Sequence, residues 1–136
     1  MDQRIAAVTV LVPSYEEGLA FFRDVMGFAV LEDTPLEANK RWIVVAPSQD
    51  EGAALVLAVA SDEPQRARVG DQTGGRVGFF LHTADFWGDY RTMRARGVRF
   101  LETPRPELYG LVAVFLDPWG GKWDLVQPAD RTGDIQ

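Results

Sequence analysis

The chain has 136 residues, with 46% hydrophobic and 25% charged residues, a balance that allows one ordinary core and excludes a disordered chain. Its net charge of −6 argues against a nucleic-acid partner, whose phosphates are bound by neutralising them with Lys and Arg. With no cysteine and a single histidine, His82, disulfides and thiolate chemistry are excluded and imidazole chemistry is limited to one group.

Residues 5–12 (IAAVTVLV) form a β-rich run, and Ser14 then opens SYEEGLAFFRDVMG with Leu19, Phe22, Val25 and Met26 at helical spacing. Ser14 suits the N-cap, Glu17 completes a capping box, and Gly27 ends the helix. FAVLED, RWIVVAP and AALVLAVA follow as short strands between turn-formers Pro35, Asn39, Pro47 and Gly52. Residues 61–75 lack apolar periodicity and read as a linker with a short helical turn. RVGFFLHT then restarts the pattern as a strand, ADFWGDYRTMRARG is a helix ending on glycine, and VRFLET, YGLVAVFL and KWDLVQP are three further strands. DPWGG (117–121) is the turn joining the last two. The expected fold is α+β, two tandem βαβββ modules forming a curved mixed sheet. Module one spans 4–60, module two 76–127, and a flexible tail covers 128–136. Gly27, Leu31 and Glu32 register on Gly97, Leu101 and Glu102 at an offset of 70 residues, the mark of an internal repeat.

Strand alternation separates two faces. Val8, Val10 and Val12 oppose Ala7, Thr9 and Leu11; Leu55, Leu57 and Val59 oppose Ala54, Val56 and Ala58. Val77, Phe79 and Leu81 oppose Arg76, Gly78, Phe80 and His82, while Trp123 and Leu125 oppose Lys122, Asp124 and Val126. With only two long helices to cover the bulky faces, the small and polar faces are expected to curve around a cup, a shape suited to a small ligand.

The repeated βαβββ pattern, the segment VTVLVPSYEEGLAFFRDVMGFAVLED and the ending LYGLVAVFLDPWGGKWDLVQP resemble the vicinal-oxygen-chelate superfamily over residues 4–127. That superfamily includes glyoxalase I, extradiol dioxygenases and bleomycin or fosfomycin resistance proteins. The resemblance implies the glyoxalase/bleomycin resistance/dioxygenase fold. It also implies metal ligands from the first, fourth, fifth and eighth strands, usually His or Gln, Glu, His and Glu. By position these become Ala7, Val56, Arg76 and Asp124 in this sequence, of which Asp124 alone has a suitable donor. No metal and no cofactor are therefore expected. His82 lies six residues from Arg76, roughly 20 Å along an extended strand, and cannot replace a missing ligand.

Arg76 and Asp124 are expected to meet at the former metal centre, either as an anchor for an anionic or carbonyl ligand or as an ion pair that fills the cup. His82 is an acid or base at the rim or a solvated side chain. Trp42, Phe80, Tyr109 and Trp119 stack on a flat ligand or serve as core and subunit contacts. Glu32, Asp33 and Glu102 read as solvated strand-end acids, and Arg91, Arg94 and Arg96 as a solvated helix face. GDQTGGRVG is no phosphate loop, because it enters a strand and lacks the Lys-Ser/Thr pair.

The expected function is binding of a small organic molecule in a metal-free cup, for resistance or sequestration, by a homodimer with neither nucleic-acid nor membrane partners. No apolar run reaches the ~18 residues of a membrane span, and the N-terminus lacks a secretory pattern, which places the protein in the cytoplasm. The alternative is an enzyme of the same superfamily, a lyase, dioxygenase or isomerase, with a non-standard site; a third reading is an interaction protein with its cup filled by side chains.

Overall fold

The computed structural model describes residues 1–130; of the expected tail, 131–136 lie outside the described residues. The chain divides into two compact units, 1–69 and 70–136, each carrying its own mixed sheet. Among the described residues no helix is long and apolar enough to cross a membrane.

In the first unit, β1 (Ala7–Val12) leads to α1 (Tyr15–Leu19), which continues as a π-helical segment, Ala20–Val25; β2 (Ala29–Pro35), β3 (Arg41–Ala46) and β4 (Ala54–Val59) follow. The strand order is β1-β4-β3-β2, with β1 parallel to β4 and the remaining pairs antiparallel. Ser14 Oγ accepts from the Glu17 amide at 3.1 Å and donates to Glu17 Oε2 at 3.0 Å, so the expected cap forms. Val10, Val12, Ile43, Val45, Leu55 and Leu57 are buried, as are Gly18, Leu19, Phe21 and Phe22 on the helical segment. A Cβ on Gly18 would stand 3.0 Å from Leu57 Cδ1, so the glycine lets the helix lie close on the sheet. The segment 61–75 contains α2 (Glu63–Arg66), capped by Asp62.

In the second unit, β5 (Val77–His82), α3 (Phe86–Ala95), β6 (Arg99–Phe100), β7 (Arg105–Glu107), β8 (Gly110–Leu116) and β9 (Lys122–Pro128) form a sheet ordered β5-β9-β8-β6, with β7 also on β8. The expected strand VRFLET is reduced to two residues, and Arg105–Glu107 forms an additional strand. Asp85 caps α3 through the Gly88 amide, and Gln127 Oε1 accepts from the Phe86 amide at 2.9 Å, satisfying donors a helix start leaves open. Aromatic rings run beneath α3: Tyr90 to Phe100 at 4.6 Å, Phe100 to Phe115 at 5.5 Å, Phe115 to Trp123 at 5.7 Å and Trp123 to Phe79 at 4.3 Å.

The π-helical segment explains a mismatch in the repeat. Ser14 stands 13 residues before Gly27, but its counterpart Asp85 stands only 12 before Gly97. The first helix carries one extra residue, taken up where the Met26 amide reaches back five residues to the Phe21 carbonyl at 2.8 Å. The offset is therefore 70 after the helices and 71 across the strands that precede them.

Candidate functional site

In the first sheet the register sets Thr9, Val56, Val44 and Glu32 side by side on the face away from α1. Val44, Ala46 and Ala54 form a buried cluster there with Val56 against it. Where this face meets residues 13–16 and 36–42, a cavity of about 790 Å³ opens, lined by Thr9, Val56 and Ala58 with Tyr15, Arg41, Trp42, Ser61 and Gln65 among others. Its size and its apolar walls with a few polar groups fit a small organic molecule. Trp42, 42% exposed, is held by its indole N–H, which donates to Glu32 Oε2 at 2.5 Å. Arg41 is committed: its guanidinium donates twice to Asp33, at 3.1 and 2.6 Å, and lies 5.4 Å over the Tyr15 ring, while its amide donates to the Tyr15 hydroxyl oxygen at 3.1 Å. The Arg41 hydrogen bonds hold the Asp33 carboxyl below its ordinary pKa.

The equivalent row of the second sheet is Phe80, Asp124 and Val114. Trp123 and Gln127 point to the α3 side, where they meet Phe79 and the Phe86 amide, so alternation puts Asp124 on the helix-free face. Asp124 is only 7% exposed, and its Oδ1 is fully buried with no hydrogen-bond partner. Burial pushes its pKa up, opposed by the Arg105 charge and reinforced by Glu102. Arg105 is itself engaged by the Tyr109 hydroxyl, by Glu102 at 3.2 Å and by Glu107, which together raise its pKa. Glu102 Oε1 also accepts from the Val114 amide at 3.0 Å.

Several expectations change. Arg76 does not share a row with Asp124: it precedes β5, is exposed, and lies beyond a register shift between Val77 and Phe79. Such a bulge shifts every earlier residue by one position and so reverses its face. Counting back seven residues from the caps Ser14 and Asp85, the counterpart of Ala7 is Gly78. Glu102, Glu32 and Asp33 are not simply solvated acids, since each holds a side chain or amide in place. Phe80 is 64% and Tyr109 54% exposed. His82 closes β5, opposite Val126, and is exposed; Trp119 serves the 117–121 turn through its amide. Arg105 and Tyr15 were missed from sequence because their partners depend on hairpin and helix-entry geometry.

The profile of the Glyoxalase/Bleomycin resistance protein/Dioxygenase superfamily matches residues 4–125. The chain belongs to this superfamily. It is 42% identical to an uncharacterized protein of Shewanella frigidimarina (strain NCIMB 400), over 96% of this chain and 98% of that one. Among solved structures it is similar to UcmS2, with TM-score 0.78 and 29% identity over 93% and 98% of the two chains. It is also similar to TnmS3, an antibiotic binding protein from Streptomyces sp. CB03234, with TM-score 0.74 and 28% identity over 93% and 97%. A divalent ion such as the superfamily's metal-dependent members hold does not fit here. Ala7, Val56 and Gly78 offer no side-chain donor, and among the described residues no three His, Cys, Asp or Glu side chains gather to hold an ion. Asp124 alone is a candidate ligand, short of the three a catalytic site keeps.

Proposed function

We propose that the protein binds a small, flat organic molecule on its helix-free sheet faces without a metal ion, sequestering it rather than transforming it. The observation that carries this reading is the pairing of donor-poor strand positions with aromatic side chains, Trp42 and Phe80, left open beside a cavity or a buried polar group. The similarity to an antibiotic-binding protein points the same way, toward resistance or self-protection in the cytoplasm. A homodimer is the working assembly in this reading, and sedimentation measures it.

Chelator-treated protein titrated with an anthracycline and with bleomycin tests the reading. A saturable rise in melting temperature with at least one of them, and no chemical change in the compound, is the expected result; no shift with either, or turnover that needs added metal, would overturn it. A catalytic reading is favoured by one observation, that burial raises the pKa of the Asp124 carboxyl above its ordinary value against the opposing Arg105 charge. It requires substrate conversion that disappears in Asp124→Asn and survives in His82→Ala.

A further inference from the structure

We infer that Asp124 selects the ligand: it accepts a hydrogen bond from an N–H or O–H group on an aromatic molecule laid against Phe80, and it disfavours a molecule that brings a carboxylate there. This rests on the small-molecule reading above and specifies the chemistry of what is bound.

Two independent observations meet at this place. The first is Asp124 Oδ1, buried without a donor in a side chain 7% exposed. Buried polar atoms are nearly always paired, and an orphan in a native protein is explained by strain, by a catalytic role, or by a water, ion or ligand that supplies the missing donor. The second is the company it keeps. Phe80 stands directly opposite in β5, 64% exposed, and supplies an apolar platform beside the acceptor. Among the described residues, the carboxylates of Asp124, Glu102 and Glu107 share this neighbourhood with the Arg105 guanidinium, which already bonds both glutamates and Tyr109. Among the described residues the charges that act on the Asp124 carboxyl are those of Arg105 and Glu102, and Arg105 is already bonded. An anionic ligand would meet repulsion with no free fork to receive it, whereas an ammonium, amine, amide or hydroxyl donor would complete the hydrogen bonding of Asp124. The anchor for a carboxylate expected from Arg76 has no counterpart here, because Arg76 lies beyond the bulge.

A matched naphthalene series tests the inference: 1-naphthylmethylammonium, 1-naphthylmethanol, 1-methylnaphthalene and 1-naphthoate, titrated by ligand-observed NMR into the full chain. The wild type is expected to hold the ammonium and the alcohol on the order of tenfold tighter than the methyl compound, the scale of one hydrogen bond to a charged group, with naphthoate weakest. Asp124→Leu should level the series. Asp124→Asn, the variant nearest in shape, should keep the preference for the alcohol and lose the advantage of the ammonium. Tightest binding of naphthoate, or a series unchanged in both variants, would overturn the inference. Equal binding of all four compounds would reject it while leaving the small-molecule reading in place. Absence of binding by every compound at millimolar concentration would defeat both.

Discussion

Replacing Asp124 should make the free protein more stable, the opposite of the usual result of changing a buried residue. A buried acceptor without a donor costs about 1–3 kcal/mol relative to a paired or absent one, and Asp124 Oδ1 is such an acceptor. The Arg105 charge offsets this only in part, because Glu102 acts against it. Asp124→Leu removes the polar atoms and should gain about 1–3 kcal/mol, or roughly 3–10 °C in melting temperature for a chain of this size, whereas Asp124→Asn removes the charge but leaves an unpaired amide and should gain less. The pH dependence gives a second, independent sign. The folded pKa lies above the ordinary 3.8, so the penalty is present in full above the folded value and fades as pH falls toward 3.8. The stability gap between Asp124→Asn and wild type should therefore be widest at neutral pH and narrow on acidification. Urea unfolding followed by circular dichroism at several pH values measures both quantities. Variants each less stable than wild type by 1 kcal/mol or more at neutral pH would refute the reasoning, since Asp124 would then have a partner within the folded protein.

Other perturbations follow from the same geometry. Phe80→Ala should change stability by less than about 0.5 kcal/mol, as expected at an exposed position, yet weaken an aromatic ligand about tenfold through lost stacking and contact area; calorimetric titration separates the two effects. Asp117 accepts from the Trp119 and Gly121 amides and the Trp123 indole at 3.1, 2.8 and 3.2 Å. Asp117→Ala should cost about 3 kcal/mol at roughly 1 kcal/mol per lost bond, with Trp123 fluorescence shifted toward that of a wetter ring. Deleting Asp24 should turn the π-helical segment into ordinary α-helix at a cost under about 1 kcal/mol, because its ion pair with Arg23 is more than half exposed on both sides. Deleting Arg91 from α3 should cost more than about 2 kcal/mol, since Met93 would rotate out of the core. Paired thermal melts of the two deletions check that contrast.

What the sequence made legible is what repeats. Alternation in β1, β4 and β9, and in β5 from Phe79 onward, assigned the faces, Ser14 and Gly27 bounded the first helix, and the shared order of strands and helices pointed to two βαβββ modules. What escaped it are single-residue irregularities that leave composition untouched. The extra residue of the first helix shows only when the interval from Ser14 to Gly27 is set against that from Asp85 to Gly97. The shift between Val77 and Phe79 has no signal beyond Gly78, yet it puts Arg76 and Val77 on the faces opposite to those that plain alternation assigns them. The Arg105 cluster depends on a three-residue strand folding back on β8, a pairing too short to show in periodicity. Asp124 itself was recognisable from its strand position, but its missing donor was not, because satisfaction of a buried atom is a property of neighbours distant in the chain.

The most direct test of metal-independent binding is a calorimetric titration of an anthracycline into the chelator-stripped protein, repeated after adding nickel or zinc. The account predicts saturable binding whose dissociation constant is the same in both conditions within about twofold. Binding that vanishes on stripping and returns with the metal would contradict it.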